Sequence, residues 1–192
     1  MSYFENLLIG HCAPTLLGLK QSSLFSCPKD MEKEIFQEIQ NYNSHLNSKD
    51  IFFKILYSYK TKFFVIAYKK KPMLTSLKSH KVHCVLKSIG YPPINNENDI
   101  DKALNFLWCR FSISDRFPHE IGFFLGYPEN DVLEFIKHNG KNYKFCGYWK
   151  VYSNEEKAIK VFKRYKKCKE ILLNKINSGT CVLEILGVAW KK

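Results

Sequence analysis

Hydrophobic positions along this chain repeat with two periods, and each period predicts its own kind of element. Apolar residues that recur three and four positions apart share one face of a helix. That spacing occurs in five segments, which are 31–46, 73–88, 99–113, 129–138 and the stretch from Ser153 to about Ile176. Asp30 is the predicted N-cap of the first helix, and Ser153 with Glu156 matches a capping box for the last. Trp108 is predicted to face inward.

Alternation with period two predicts strands. Segments 51–59 and 62–69 form a predicted hairpin, with alternate residues from Ile51 to Tyr59 on one face. Three further strands are predicted over 119–126, 143–152 and 181–188. Helices and strands mix without a strict βαβ rhythm, so the predicted class is α+β. We expect one mixed or antiparallel sheet of about four to six strands with about five helices, in a single domain over 1–192.

Composition excludes several classes of protein. The 192 residues are 45% hydrophobic with 9 Gly and 7 Pro, which excludes disordered and collagen-like chains. The formal net charge is +12, and residues 51–96 hold nine Lys and no acidic residue. Only three of the 30 basic residues are Arg, the usual choice for phosphate and base contacts, and A/T-rich codons also favour Lys. Nucleic-acid binding is therefore not the favoured interpretation.

The cysteines and the termini predict a cytoplasmic protein. The seven Cys are odd in number and form no C-x-x-C pair, which favours reduced thiols and no structural disulfide. The N-terminus lacks the pattern of a signal peptide. The longest strongly apolar run is also too short for a membrane span.

Three constellations are candidates for chemistry. In the first, His11 lies beside Cys12, and the nearby Lys20 could stabilise a thiolate nucleophile; the alternative is a buried, inert cysteine. In the second, His119 and Glu120 could perform acid/base chemistry, or be structural.

Glycine and aromatic residues extend these constellations into a predicted ligand site. Gly122 and Gly126 share a predicted strand face, which indicates close packing against a ligand, a helix or another backbone. In the third constellation, residues Tyr148, Trp149 and Lys150 could hold an anionic or planar ligand, although an ordinary half-buried strand also explains them. His80, His83 and Cys84 lack a further ligand, so no metal site is predicted.

The last helix is amphipathic, with a basic outer face. The basic residues of this face are Lys157, Lys160, Lys163, Arg164 and Lys167. A solvated surface is the default interpretation, and an anionic partner is the sharper one.

These runs together resemble an uncharacterised bacterial family, number 3793 among the domains of unknown function. The resemblance rests on 11–15 with Gly18 and Lys20, on 119–122 through 126–128, 131–132 and 135–136, and on 147–152 followed by Ala158 and Phe162. It covers most of the chain, from about residue 5 to residue 176. It supplies no catalytic residue and no cofactor. Because members come from anaerobes and often lie near flavodoxin or iron-transport genes, the resemblance implies a redox or iron connection.

The leading hypothesis is a cytoplasmic protein with a small-molecule or redox-linked site that gathers His11, Cys12, Lys20, His119, Glu120 and Trp149. Whether such a site is catalytic stays open. The alternatives are a non-catalytic adaptor that docks an acidic partner such as flavodoxin through its Lys-rich faces, and a nucleic-acid binder. A pocket would favour the first hypothesis, and a flat basic face the others.

Overall fold

The computed structural model describes residues 1–113 and 117–188. Its chain forms two compact units: the first comprises Met1–Lys70 and Tyr165–Lys192, and the second Lys71–Arg164. The expectation of a single domain stays a prediction. Within the described ranges, no helix is both long enough and apolar enough to cross a membrane.

Helix outweighs strand in both units. The helices are α1 Tyr3–Leu7, α2 Ala13–Leu16, α3 Glu32–Leu46, α4 Lys70–Leu77, α5 His80–Ile89, α6 Glu97–Ile113, α7 Ile121–Phe124, α8 Glu129–Lys137, α9 Glu155–Asn177 and α10 Val182–Ile185. The strands are β1 Ser22–Pro28, β2 Phe52–Tyr59, β3 Lys62–Tyr68, β4 Phe145–Cys146 and β5 Lys150–Val151. A π-helical turn at Leu8–Cys12 links α1 to α2. The α+β class and the antiparallel pairing are as predicted. The strands of the described residues form two separate sheets, however, and the helices exceed the five expected.

The first unit is built on a three-stranded antiparallel sheet in the order β1-β3-β2. The predicted hairpin is confirmed, and Lys60 in its turn has φ 51°, the left-handed conformation of hairpin turns. The predicted alternation is wrong beyond Ile55, because a bulge at Leu56 shifts the register. Ile55 pairs with Val65 and Tyr57 with Phe64, so the bulge moves Tyr57 to the opposite face of the sheet.

One face of this sheet carries the core of the first unit. Phe4 of α1 packs on the rings of Phe25, Tyr42 and Phe53, at centroid distances of 6.1, 5.3 and 5.8 Å. Helix α3 lines the same core because its apolar residues recur at helical spacing. The α3 residues buried here are Ile35, Ile39, Tyr42 and Leu46.

The second unit differs most from the sequence prediction. Segment 119–126 is a turn followed by the short helix α7, because a brief apolar run has no periodicity that separates a buried strand from a helix. Segment 143–152 is the hairpin β4–β5 and not one strand. The helix expected over 73–88 is divided between α4 and α5. Trp108 is 49% exposed, contrary to its predicted inward position.

Three terminal details also correct the sequence prediction. Asp30 lies in a 3-10 turn, and α3 begins at Glu32 without a side-chain cap. Helix α9 is capped by Asn154, whose Oδ1 accepts a hydrogen bond from the Lys157 N–H at 2.9 Å. The strand predicted over 181–188 is instead the short helix α10.

Candidate ligand-binding site

A pocket of about 460 Å³ lies within the second unit. Its walls are mainly apolar and aromatic, and they come from the segment before α7, from α7 and α8, and from the β4–β5 hairpin. The residues that line it include Phe117, His119, Gly122, Tyr127, Asp131, Val132, Phe135, Cys146, Gly147, Tyr148, Trp149 and Lys150. Five of these were predicted as site residues: His119, Gly122, Tyr148, Trp149 and Lys150.

The turn from α7 to α8 brings one wall into place. Gly126 has φ +72°, and its N–H donates to the Phe123 carbonyl at 3.1 Å. The Tyr127 N–H donates to the Gly122 carbonyl at 3.0 Å, which completes a Schellman motif. Gly126 therefore ends α7, and it is not among the residues that line the pocket. The glycine matters here because side chains rarely adopt this backbone conformation.

Asp131 joins α8 to the hairpin. Its side chain is only 2% exposed, and Oδ2 accepts a hydrogen bond from the Trp149 indole N–H at 2.8 Å. Oδ1 accepts from the Tyr152 and Ser153 backbone N–H groups at 3.0 Å each and from Ser153 Oγ at 2.8 Å. The first bond holds the indole, which also lies against the Tyr127 ring at a centroid distance of 5.4 Å, and the other three hold the residues that follow β5.

Two glycines allow close packing around the pocket. A Cβ at Gly147 would lie 2.2 Å from Cε2 of Phe162, so only glycine admits this ring. A Cβ at Gly122 would lie 2.8 Å from Cγ2 of Val132 on α8. Glycine at 122 therefore gives room to a packed helix as well as lining the pocket. The close packing predicted at Gly122 is present, and Gly147 is packed closely as well, although neither residue lies on a long strand.

His119 and Lys150 bring polar groups to the same aromatic ring. The His119 imidazole meets Phe135 edge to face, at a centroid distance of 5.0 Å. The Lys150 ammonium lies 5.6 Å from the Phe135 centroid and 4.7 Å from that of Tyr143. It donates a hydrogen bond to the Gly140 carbonyl at 2.7 Å.

Glu120 has a different environment from its neighbour His119. It is 3% exposed and forms an ion pair with Arg110 of α6. Its Oε1 also accepts a hydrogen bond from the Tyr91 hydroxyl at 3.3 Å. Burial, with the Glu120 charge as the next cause, raises the pKa of Tyr91. The proposed catalytic pair of His119 and Glu120 is thus divided between the pocket and this buried ion pair.

The remaining candidates, His11, Cys12 and Lys20, lie in the first unit. Cys12 is fully buried, and burial raises the pKa of its thiol, although nearby Lys20 opposes this shift. Burial lowers the pKa of Lys20 to about 8, again opposed by Cys12. The His11 ring is stacked on Phe25, and partial burial together with Lys169 lowers its pKa. Burial keeps the Cys12 thiol protonated, and the thiolate is the reactive form of cysteine. This environment therefore favours the interpretation of Cys12 as a buried, inert cysteine.

The predicted basic residues of α9 are exposed. Lys157, Lys160, Lys163 and Arg164 lie on the part of the helix in the second unit, and Lys167 on the part in the first. The predicted apolar face is buried at Ala158, Tyr165, Cys168 and Leu172. The prediction that this helix is amphipathic is confirmed.

Sequence reasoning missed several residues that build the pocket, above all Asp131 and Phe135. Asp131 resembles an ordinary acidic residue in the first turn of a helix. Its hydrogen bond to Trp149 joins residues 18 positions apart, and local periodicity carries no signal of such a contact. The available signal was the resemblance, since its quoted runs 119–122, 126–128, 131–132, 135–136 and 147–152 contain most of the lining.

The structure thus defines a mixed helix-and-strand protein with an aromatic pocket in one of its two units. The chain matches, over residues 8–186, the model of a family described as "Protein of unknown function (DUF3793)", and it belongs to this family. A search of curated proteins gave no match. A search of solved structures gave none either.

Proposed function

We propose that the protein binds a small planar aromatic molecule in the pocket of the second unit. The observation that carries this proposal is the set of aromatic walls around a volume of about 460 Å³, which lies in the range of small-molecule sites. Redox-active ring systems are planar and aromatic, so the proposed ligand class agrees with the redox connection that the family resemblance implies. The free thiols fit the proposed reducing, cytoplasmic compartment.

The energetics favour a flat ligand. Burying about 150 Å² of aromatic surface contributes about 4 kcal/mol. Edge-to-face or offset contacts add about 1 kcal/mol for each well-placed ring. Association costs consume part of this sum, so we expect micromolar to millimolar affinity for a simple probe.

Binding is proposed without a chemical step. Because Glu120 is engaged by Arg110, His119 lacks it as an acid/base partner in the pocket. Among residues 1–113 and 117–188, no three His, Cys, Asp or Glu side chains gather into a metal-ligand cluster. The proposed role of the site is to hold its ligand between aromatic side chains.

The test replaces an exposed residue of the pocket lining by a larger side chain. Cys146 is exposed and lines the pocket, so Cys146→Trp should block it without disturbing the core. Cys84→Trp is the matched control, because Cys84 is also exposed but lies on α5 outside the lining. Binding of the neutral probe 2-naphthylmethanol is followed by saturation-transfer NMR. We expect Cys146→Trp to abolish binding and Cys84→Trp to preserve it, with thermal melting unchanged in both; equal binding by both variants would refute the pocket.

A second proposed function is an adaptor that docks an acidic protein, such as flavodoxin, on α9. The observation in its favour is the exposure of Lys157, Lys160, Lys163 and Arg164 on one helical face. An acidic protein of known structure, such as flavodoxin, is the probe for this role. Binding should weaken from low to high salt and on Lys160→Glu with Lys163→Glu. An affinity that changes neither with salt nor with these two substitutions would refute the adaptor function.

A further inference from the structure

The polar groups that line the pocket differ in whether they are available to contact a ligand. Asp131 is the carboxylate in the lining, and four hydrogen-bond donors occupy its two oxygens. The Trp149 N–H is used by the same carboxylate. These groups therefore hold the wall together and are not available to recognise a ligand.

Lys150 brings an ammonium group to the pocket. Its ammonium has three N–H donors, and the contacts it makes are the Gly140 carbonyl and the faces of Phe135 and Tyr143. In the part of the chain that the structure describes, no carboxylate pairs with it. A half-buried cation lacking a counter-ion is costly, and aromatic faces offset only part of that cost.

His119 brings a second polar group to the pocket. Its ring contacts Phe117 and Phe135, and between the described residues its ring nitrogens form no hydrogen bond. The imidazole and the Lys150 ammonium both lie within 6 Å of the Phe135 ring centroid. An imidazole and an ammonium group thus both lie beside the phenyl ring of Phe135.

We propose that the pocket selects a planar aromatic carboxylate, with its ring against the aromatic walls and its carboxylate at Lys150 and His119. This inference rests on the proposed function and names the ligand class of the same site. The Lys150 ammonium and the His119 imidazole offer hydrogen-bond donors for the two oxygens of a carboxylate. A phosphate dianion would need more donors, typically Arg or a set of backbone N–H groups. An ammonium on the ligand would be repelled by Lys150.

Three ligands of one shape test this inference. They are 2-naphthoate, the neutral 2-naphthylmethanol and the cationic 2-naphthylmethylammonium, each titrated into the full chain by calorimetry. We expect naphthoate to bind at least tenfold more tightly than the alcohol, and the ammonium to bind more weakly than the alcohol. Equal affinities for the three would overturn the carboxylate inference and leave the proposed function standing. No binding by any of them would refute both.

Variants of Lys150 test whether this residue recognises the negative charge of the ligand. Lys150→Met should reduce the affinity for naphthoate to about the affinity for the alcohol in the same variant. Lys141→Met is the matched control, because Lys141 is exposed and does not line the pocket. Lys150→Arg keeps the charge and should keep the preference, which separates charge recognition from a loss of packing. A naphthoate preference unchanged in a folded Lys150→Met variant would overturn the role of Lys150.

Discussion

The carboxylate of Asp131 offers the sharpest test of how the pocket is held together. Asp131→Asn keeps the size of the side chain and replaces one carboxylate oxygen by an NH₂ group. The remaining oxygen can still accept the three hydrogen bonds made to Oδ1, two from backbone N–H groups and one from Ser153 Oγ. The NH₂ group then faces the Trp149 indole N–H, which has lost its acceptor.

The expected size of the effect follows from this loss. A buried donor without an acceptor costs about 1–3 kcal/mol. In this variant two donors face each other, so both lack an acceptor. The three bonds that remain are weakened because they no longer end on a charged acceptor. We expect Asp131→Asn to lower the free energy of unfolding by about 2–4 kcal/mol, a large share of the roughly 5–15 kcal/mol typical of a folded protein.

Urea unfolding followed by circular dichroism measures this change, and fluorescence reports on the indole. In a chain that keeps Trp149 and has its other tryptophans replaced by Phe, the emission should shift to the red as the indole loosens. Asp30→Asn is the matched control, since Asp30 is exposed and outside the second unit. A change below about 0.5 kcal/mol for Asp131→Asn, or an equal change for Asp30→Asn, would refute the reasoning.

Three further predictions concern packing, protonation and thiols. Gly147→Ala should destabilise by about 1–3 kcal/mol in urea unfolding, because its Cβ would overlap Phe162, whereas Gly10→Ala, with nothing within 4 Å of the added Cβ, should not. Burial lowers the pKa of Lys20 from its usual 10.5 to about 8, so the unfolded chain binds more protons between these pH values. The stability of the wild type relative to Lys20→Met should therefore rise from pH 8 to 10.5, and a flat difference in urea unfolding would contradict the shifted pKa. Thiol titration without reductant should find seven free groups after denaturation and fewer in the native protein, where three cysteines are buried; fewer than seven after denaturation would indicate a disulfide.

Long periodic segments were predictable from the sequence. The β2–β3 hairpin and helix α9 each repeat their pattern over enough residues for one period to dominate. The bulge at Leu56 was not predictable, because one extra residue reverses the faces of a strand while leaving its composition unchanged. The strand predicted over 119–126 was wrong for a related reason, since residues 121–126 are apolar throughout and show no contrast between two faces.

The candidate site shows the same division between local and distant information. His119, Tyr148 and Lys150 were identified because each lies within a short run of unusual composition, and such runs are visible along the chain. Phe135 was missed because an aromatic residue on an amphipathic helix ordinarily belongs to the core. Its position beside both His119 and Lys150 depends on how α8 packs, which no single segment of sequence determines.

Gly122 and Gly147 show what a sequence can state about a contact and what it cannot. A glycine in an apolar run indicates that something approaches the backbone closely, and both positions meet side chains at distances that no Cβ tolerates. The identity of the neighbour is set by the turn that precedes it. A Schellman turn folds α8 back so that Val132 reaches Gly122, and the β4–β5 loop places Gly147 against Phe162. Small residues thus create the close packing that brings the pocket walls together, while the lining chemistry comes from larger residues that flank them.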